Sequence, residues 1–334
     1  MDAAEVIAGL DSGLRQKLSL GNEVSTSKLA LPSLGLTRAL NGGFPYGRQV
    51  LVFGSKSSAK SSLCLEMVAN AQRDGKVCAW IDSEMSYDSD WATRLGVDTS
   101  QLIVSEARTI NDFVDVSVKL MEAGVDVIVV DSISSLLPAA YFEKKTDELK
   151  ALENTGQIGS EAQDFSRAMK IINYANNRTK PTLLVLISQT RSNIGMMFTN
   201  QIPTGGQSVR FYSSIIIKLF SSEAEGSAIS EDRKVGNKLI SENVGRKISW
   251  LVQFSKTSPA FVTGEYNFYF SGDKVGTDKE GEIIDIGAKY GLIEVAGTWI
   301  TIGDKKVQGK ANAADYLRHH PEVRDELERK IADA

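Results

Sequence analysis

Apolar positions along the chain follow two periods, one typical of buried strands and one typical of amphipathic helices. Short β-prone runs at residues 50–53, 77–82, 102–106, 125–131 and 182–188 predict strands. Residues 110–123 and 161–176 have helical spacing and lie between them. Strands that alternate with helices imply a parallel sheet, and the almost unbroken run 125–131 is typical of a central strand. The predicted fold class is therefore α/β with a mostly parallel central sheet.

The two ends of the chain differ from this alternation. Residues 2–19 place five apolar side chains at helical spacing, which predicts a helix that packs on a neighbouring subunit. Segments 211–220 and 247–254 alternate as antiparallel strands. Residues 273–302 suggest a small α+β module, and residues 311–332 read as helical.

The stretch 50–65, VLVFGSKSSAKSSLCL, reads as a strand, a Gly/Ser-rich loop and the start of a helix. Such a loop presents backbone N–H groups to phosphate oxygens, and the helix N-terminus adds partial positive charge. Lys60 is expected to reach the β- and γ-phosphates, and Ser61 to complete a Mg²⁺ shell. The other expected nucleotide contacts are Gly54, Ser55, Lys56, Ser57, Ser58, Ala59 and Ser62. A serine-rich turn with an exposed lysine is the alternative interpretation.

Asp131 closes the apolar run 125–131. An aspartate at a strand end is often only a helix N-cap. Downstream of a phosphate loop, however, four apolar residues followed by Asp are typical of the carboxylate that holds Mg²⁺ in an NTPase. The two motifs together predict a site for a nucleoside triphosphate and Mg²⁺, with Ser61 and Asp131 as the metal residues.

Composition narrows the class of protein. The chain has 334 residues, of which 42% are hydrophobic and 24% charged, as in an ordinary globular protein. Cys64 and Cys78 lie in apolar surroundings and read as reduced packing residues.

No apolar run is long enough to span a membrane, and the N-terminus lacks a signal-peptide core, so a cytoplasmic location without membrane contact is expected. A net charge of −4 means that any DNA binding must be local.

One long segment, residues 190–210, contains arginines and glycines but no acidic residue. Long loops without secondary structure are usually functional or disordered. Glycine allows the backbone to approach a phosphate chain closely, and the absence of acids avoids repulsion. The segment is a candidate DNA-binding loop, with a disordered crossover as the alternative.

Several ordered blocks carry a resemblance to the bacterial RecA-type recombinases over about residues 33–330. The blocks are GSKSSAKSS, CAWIDSE with WATRLGVD, VDVIVVDS, SQTRSNIGMMF with TGGQSVRFY, and GEIIDIGAKYGLIE with GKANAADYL. The resemblance implies a RecA-like P-loop ATPase core at residues 33–262, with DNA-binding loops at about 141–164 and 190–210. An N-terminal helix and oligomerisation linker at 1–32 and a small C-terminal domain at 263–334 complete the expected organisation.

The same resemblance assigns roles around the nucleotide. It implies that Glu84 orients the attacking water and that Gln189 senses the γ-phosphate. Asp88 and Trp91 fall where the family binds adenine. Tyr269 matches an aromatic that covers the other side of the base, although a packed strand residue is an equal alternative. Lys256 resembles a lysine that reaches the ATP of the adjacent subunit.

The DNA and subunit contacts are likewise implied by the resemblance. The expected DNA-binding residues are Ile158, Gly159, Ser166, Arg191, Ile194, Gly195, Gly205 and Gly206. Phe211 falls at an aromatic position through which neighbouring subunits communicate. The implied partners are single-stranded DNA, homologous duplex DNA and further copies of the chain in a helical homo-oligomer.

The chain also departs from the family pattern. Ala59 replaces the second glycine of the phosphate loop, which costs roughly 1 kcal/mol if that position needs a positive φ. Gln163 stands where an arginine of the first DNA loop is expected, and Phe254 where a second in-trans lysine is usual. The segment between Asp131 and Gln189 is longer than the common form, chiefly at residues 143–153.

Three functions remain open from the sequence. The favoured one is a DNA-dependent ATPase that forms a helical filament on single-stranded DNA and catalyses homologous pairing and strand exchange. The second is a filament-forming ATP-binding protein that hydrolyses poorly because of Ala59. The third is a helicase-like or clock-protein-like ring ATPase with the same core.

Overall fold

The computed structural model describes residues 2–15, 18–21, 26–142, 160–192, 201–221, 227–235, 238–272 and 274–333. Its helices are α1 (Ala3–Ala8), α2 (Ser12–Arg15), α3 (Leu34–Ala39), α4 (Lys60–Arg73), α5 (Ser89–Arg94), α6 (Ile110–Glu122), α7 (Ser160–Asn176), α8 (Gly206–Tyr212), α9 (Lys279–Lys289), α10 (Lys310–His319) and α11 (Pro321–Asp333). Its strands are β1 (Lys28–Leu29), β2 (Phe44–Pro45), β3 (Gln49–Gly54), β4 (Cys78–Asp82), β5 (Leu102–Glu106), β6 (Val127–Asp131), β7 (Leu183–Ser192), β8 (Gln201–Pro203), β9 (Ile215–Ser221), β10 (Ala228–Val235), β11 (Lys238–Ser255), β12 (Thr263–Tyr269), β13 (Gly276–Thr277), β14 (Glu294–Ala296), β15 (Trp299–Ile302) and β16 (Lys305–Gln308).

A large mixed sheet organises the described part of the chain. Its strands follow the order β13-β12-β11-β9-β3-β7-β6-β4-β5, with β10 paired to β11 and β8 to β7. Strands β9, β3, β7, β6, β4 and β5 are parallel to one another, whereas β10 to β13 are antiparallel to their neighbours. The predicted α/β class with a mostly parallel central sheet is confirmed. The carboxyl ends of β3, β4, β6 and β7 meet at one edge, where ligands bind in open α/β sheets.

The prediction for residues 211–220 was partly wrong. Residues 206–212 form α8, and the strand β9 begins only at Ile215. This strand pairs in parallel with β3 and antiparallel with β11, so the parallel sheet joins the antiparallel half at β9. A strand with one parallel and one antiparallel neighbour shows the same alternation of apolar residues as a strand with two antiparallel neighbours. The sequence pattern therefore could not reveal the parallel pairing of β9 with β3.

Two apolar layers cover the sheet, one on each face. One layer packs α3 and α4 against the sheet, with Val50, Val52, Met67 and Trp80 buried. The other layer packs α6, α7 and α8 on the opposite face, with Phe53, Phe113 and Phe165 fully buried. Alternate residues of β3 point to the two layers, as the period of a strand requires. Both cysteines are free and buried, as predicted.

A third, smaller core belongs to the C-terminal module. Helices α9 to α11 and the three-stranded sheet β14-β15-β16 enclose Ile283, Ile300, Leu317 and Ile331, with Leu34 of α3 joining them. Strands β12 and β13 extend the large sheet. The predicted helix over residues 311–332 is divided at Pro321, which begins α11. The domain boundary at residue 263 stays a prediction.

The N-terminal helix predicted over residues 2–19 is two short helices. Glycine at position 9 caps α1, and the Asp11 carboxylate accepts the backbone N–H groups of Gly13 and Leu14 at 3.0 Å each. This local cap competes with helix continuation. Val6, Leu14 and Leu18 are each more than 40% exposed. Packing of this segment on another subunit stays a prediction. No helix in the described ranges is long and apolar enough to cross a membrane.

Two carboxylates, the buried Glu282 and the half-buried Glu66, join residues 263–334 to the preceding core. Glu282 of α9 accepts the Ser33 hydroxyl at 2.8 Å and the Leu34 N–H at 3.0 Å, both at the N-terminus of α3. Glu66 of α4 accepts the Thr277 N–H and hydroxyl, each at 2.8 Å. Burial raises the pKa of each carboxyl to about 7, more strongly than these hydrogen bonds lower it. The junction is therefore most stable when the two groups carry protons.

We predict that Glu66→Gln stabilises the protein more at pH 8 than at pH 5. A carboxyl whose folded-state pKa is raised contributes stability below its unfolded pKa and loses it as pH rises towards the folded value, here from 4.5 to about 7. Glutamine is neutral throughout and can keep both contacts to Thr277. The measurement is the difference in Tm between variant and parent at the two pH values.

The control is Glu265→Gln, because Glu265 is exposed and pairs with Lys247 at 2.9 Å on the surface. It should change Tm little at either pH. A Glu66→Gln difference that is the same at pH 5 and pH 8 would show that Glu66 does not titrate in this range.

Candidate nucleotide site and DNA-facing loop

The phosphate loop begins at Gly54, the last residue of β3, where the neighbouring strands leave no space for a side chain. Gly54 pairs with Gln189 of β7 on one side and Leu219 of β9 on the other. A Cβ on Gly54 would lie 2.0 Å from the Leu219 carbonyl oxygen and 2.8 Å from Ser58 Oγ. Only glycine fits, so the loop leaves the sheet between two strands at close backbone distance.

The loop then takes two left-handed turns before α4. Ser57 has φ 62° and Ala59 has φ 58°, a region that side chains other than glycine rarely adopt. Ala59 is the N-cap of α4 and makes no side-chain capping hydrogen bond. The backbone at this position is therefore that of the glycine in the motif, reached at a cost of roughly 1 kcal/mol.

Lys60 opens α4 and lies almost buried, 9% exposed. Its Nζ donates to the Ser55 carbonyl at 2.8 Å, and Ser58 Oγ donates to the same oxygen at 2.9 Å. Burial lowers the pKa of the lysine, while Asp131 and Glu84 nearby act in the opposite direction. A buried ammonium beside two carboxylates is suited to an anionic ligand such as a phosphate chain.

Asp131 ends β6 and faces the start of α4. Its carboxylate is hydrogen-bonded to the Ser61 side chain, and burial raises its pKa to about 6, with Glu84 and Asp82 adding in the same direction. Carboxylate and hydroxyl oxygens are the ligands that Mg²⁺ takes, and a cation would relieve the crowded negative charge. Within the described ranges no cluster of three or more His, Cys, Asp or Glu could hold a metal.

The side chains of Glu84 and Gln189 are hydrogen-bonded to each other beside Lys60 and Asp131. Gln189 Nε2 donates to Glu84 Oε1 at 3.0 Å, and Ser132 Oγ donates to the same oxygen at 2.5 Å. The turn that carries Glu84 is held by Asp82, whose carboxylate accepts the N–H groups of Glu84 and Tyr87 at 3.1 and 2.9 Å. Because β4 and β7 lie on opposite sides of β6, their ends can place the two side chains over Asp131.

A cavity of about 340 Å³ is formed by these groups. It is lined by Lys56, Ser57, Lys60, Ser61, Glu84, Asp131, Ser132, Ile187 and Gln189. Of the residues predicted for phosphate, metal and water chemistry, the structure thus brings together Lys56, Ser57, Lys60, Ser61, Glu84, Asp131 and Gln189. Ser62 follows in the first turn of α4.

The predicted base-binding residues are only partly assembled. Asp88 caps α5 by accepting the Trp91 N–H at 2.9 Å. The Trp91 ring contacts Phe268 edge-on at 6.4 Å, and the Arg94 guanidinium lies 5.2 Å from its centre. Tyr269 is the next residue of β12 and therefore points to the opposite face.

Tyr269 lines a different cavity. The Lys274 ammonium lies 5.9 Å from its ring centre, and the cavity of about 210 Å³ is shared with Thr277, Glu280 and Arg318. The structure does not place Tyr269 beside Trp91. Its assignment to adenine stays a prediction.

The segment 190–210 was predicted as a loop without secondary structure, and this was wrong for its ends. Strand β7 continues to Ser192 and pairs with β8, with Arg191 opposite Ile202. Gly205 and Gly206 have φ 93° and 74° and begin α8. A Cβ on Gly205 would lie 2.8 Å from Val209 and 3.0 Å from Ile133, so the close packing of α8 needs glycine there. Ile158, Gly159, Ile194 and Gly195 lie outside the described residues.

Three further predicted residues lie on a separate surface. Ser166 of α7, Phe211 at the end of α8 and Lys256 after β11 line one groove of about 900 Å³, together with Lys170, Arg210, Phe254 and Phe261. Phe211 is 76% exposed. Lys256 is not among the residues that line the cavity of Lys60. The contact of Lys256 with the ATP of an adjacent subunit stays a prediction.

Sequence reasoning missed a set of hydroxyl groups beside the site. Ser132 bonds to Glu84, and Ser134, Ser188 and Thr204 form a cluster behind Gln189. The available signal was the serine-rich stretch after Asp131 and the serine before Gln189. Serine after a strand is so common that composition alone does not distinguish a functional hydroxyl.

Comparisons with known proteins agree along the chain. A family model described as RecA N-terminal domain matches residues 11–271, and one described as RecA C-terminal domain matches residues 281–334. Protein RecA of Colwellia psychrerythraea is 34% identical over 334 residues, covering 99% of this chain and 90% of that protein. Protein RecA of Rickettsia massiliae is 32% identical over 335 residues, covering 99% and 91%.

We predict that Ala59→Gly stabilises the protein, because glycine adopts φ 58° without the Cβ penalty. The gain should be up to about 1 kcal/mol in the free energy of unfolding, measured by denaturant titration. ATP turnover should be equal to or higher than that of the parent.

The control is Ala311→Gly, at an exposed position of α10 with ordinary helical geometry. That variant should lose about 1 kcal/mol. Destabilisation by both substitutions would mean that position 59 carries no backbone strain.

Proposed function

Because the chain belongs to the RecA family of ATP-binding DNA recombination and repair proteins, we propose that it assembles with ATP into a helical filament on single-stranded DNA. The filament would pair its strand with homologous duplex DNA and catalyse strand exchange, and DNA would stimulate ATP hydrolysis. The observation that best supports this proposal is the contact between Glu84 and Gln189 above Lys60 and Asp131. Through this contact Glu84, a carboxylate suited to assist hydrolysis, is connected to β7, the strand that leads into the segment 190–210.

The phosphate loop and α4 are suited to hold the triphosphate. Backbone N–H groups of residues 54–62 and the Lys60 ammonium would contact its oxygens, and Ser61 with Asp131 would hold Mg²⁺. Bound there, ATP and Mg²⁺ would supply the anhydride to be hydrolysed and the charge that stabilises the leaving phosphate. Membership of the family supports nucleotide binding in general. The assignment of these residues to the phosphates and to Mg²⁺ is part of the proposal.

Glu84 is the candidate for orienting the attacking water. Its carboxylate is exposed to the cavity and held by Ser132 and Gln189 through one oxygen. The second oxygen can accept a proton or a hydrogen bond from water. Gln189 would exchange its bond to Glu84 for one to a γ-phosphate and so report the nucleotide state to β7 and β8.

Lys256 and Phe211 are proposed to act between subunits. Both line the groove that includes Ser166, and neither lines the cavity that contains Lys60. Self-assembly is general to the family, and an assembled neighbour could bring its nucleotide to Lys256. Phe254 lies in the same groove at the position where a second in-trans lysine was expected, so Lys256 is the one member of that pair present.

A second candidate is an ATP-binding assembly that hydrolyses weakly because of Ala59. The left-handed backbone at Ala59 favours the first function, since the loop keeps the conformation of the glycine motif. Turnover with and without single-stranded DNA separates the two. Electron microscopy of the ATP-bound form separates an open filament from the closed ring of a helicase-like or clock-protein-like ATPase.

We predict that Glu84→Gln lowers ATP turnover by roughly 10²-fold while ATP binding persists. Glutamine keeps the shape and the oxygen that accepts from Ser132 and Gln189, but it cannot take a proton. Steady-state turnover and equilibrium binding of a fluorescent ATP analogue measure the two effects.

The control is Glu106→Gln, since Glu106 ends the neighbouring strand β5 in register with Asp82 but is absent from the cavity lining. It should retain parental turnover. Normal turnover by Glu84→Gln would assign water activation to another residue.

We also predict that Arg191→Ala weakens binding of single-stranded DNA and reduces its salt dependence. Each phosphate neutralised releases condensed counterions, so the loss of one contact should lower the slope of log K against log salt by roughly 0.7 per bound subunit. With a net charge of −4, the protein depends on such local contacts. Labelled oligonucleotide titrations at several salt concentrations, with ATP present, measure the slope.

The control is Arg178→Ala, because Arg178 contacts Tyr174 near the end of α7, on a surface that was not predicted to bind DNA. ATP binding should be intact in both variants. An Arg191→Ala protein with parental affinity and slope would show that this segment is not the DNA site.

A further inference from the structure

A cluster of three hydroxyl groups lies between the nucleotide cavity and the start of α8. It consists of Ser134, Ser188 and Thr204, which we call the hydroxyl cluster. Ser188 and Thr204 are 0% and 5% exposed, and Ser134 is half-buried. Buried hydroxyls need hydrogen-bond partners, and these three find most of theirs in one another and in Gln189.

Ser134 holds the backbone of Gln189. Beyond Val130 and Leu186, the last paired residues of β6 and β7, the ladder between these strands ends. The Gln189 N–H donates to Ser134 Oγ at 2.9 Å, so the hydroxyl takes the place of a strand partner.

Ser134 also contacts the other side of the cluster. Its Oγ donates to Thr204 Oγ1 at 3.3 Å and lies 3.5 Å from Ser188 Oγ. Thr204 Oγ1 in turn donates to the Gln189 carbonyl at 3.1 Å, and the Thr204 N–H donates to Ser188 Oγ at 2.9 Å. Thr204 and Gln189 are therefore held to each other through Ser134 as well as directly.

The cluster is connected at both ends to groups with proposed roles. On the nucleotide side, the Ser134 N–H donates to Ser132 Oγ at 3.3 Å, and Ser132 bonds to Glu84. On the DNA-facing side, Thr204 immediately precedes Gly205, the left-handed N-cap of α8 that packs against Ile133. A displacement of Thr204 would therefore change the hydrogen bonds to the main chain of Gln189. Through Ser134 and Ser132 it would also affect the position of Glu84.

We propose that Ser134 is a positioning residue that transmits DNA binding to the ATPase site. Through its hydroxyl, a shift of Thr204 and Gly205 on DNA binding moves Gln189 and changes its contact with Glu84. Ser134 is not among the residues that line the nucleotide cavity. The inference rests on the proposed function, since it requires an ATPase that responds to single-stranded DNA.

The test compares the ratio of DNA-stimulated to DNA-free ATP turnover in the full-length parent and in Ser134→Ala. Loss of one neutral hydrogen-bond relay should lower this ratio by about three- to tenfold. Ser134→Thr, which keeps a hydroxyl, should restore it. A purely structural role would lower both rates together and leave the ratio unchanged.

Two further variants sharpen the result. Ser135→Ala is the matched control, because the Ser135 hydroxyl hydrogen-bonds to Ser83 and the Ser132 carbonyl instead of to Gln189 or Thr204. It should keep the parental ratio. Thr204→Val removes the other hydroxyl of the relay at nearly constant shape, so the double variant with Ser134→Ala should be no worse than the poorer single variant.

The outcomes distinguish the inference from its premise. A parent that DNA stimulates, together with a Ser134→Ala variant stimulated equally, would overturn the role of Ser134 alone. Additive losses in the double variant would also overturn it, since they would place the two hydroxyls on separate paths. A parent that DNA does not stimulate would overturn both the inference and the proposed function.

Discussion

The close approach of β3 to its two neighbours is the constraint on which the site depends. Gly54 lies between Gln189 and Leu219 with no space for a Cβ, so β3 stays in register with β7 and β9 up to its last residue. The phosphate loop leaves at that point, and Gln189 ends up opposite it. One steric requirement thus sets both the position of the loop and the position of the side chain that contacts Glu84.

Charge is concentrated at the same edge of the sheet. Asp131, Asp82 and Glu84 lie near the buried cation Lys60, and burial acts against ionisation of both Lys60 and Asp131. Such an arrangement is costly without a ligand and is stabilised by one that brings phosphate to the lysine and a divalent cation to the carboxylates. Strain at Ser57 and Ala59 and unfavourable charge burial occur together here, as is common at functional sites.

Much of the fold and the nucleotide site could be predicted from the sequence because both depend on local patterns. The strands ending at Gly54, Asp82 and Asp131 are continuous apolar runs, and parallel strands necessarily bring their ends to one edge. Features that depend on distant contacts were not predictable. Tyr269 and Phe268 face opposite sides of β12, and a pattern of adjacent aromatics does not say which one faces Trp91. The bond between Ser134 and Thr204 joins residues 70 positions apart.

The central claim is that the end of β7 links the nucleotide cavity to the DNA-facing segment. The most direct measurement is the affinity for a non-hydrolysable ATP analogue with and without single-stranded oligonucleotide, and the affinity for oligonucleotide with and without the analogue. Linkage requires both affinities to change by the same factor, which we expect to be about 5- to 150-fold. Equal affinity for the analogue with and without DNA would contradict the account.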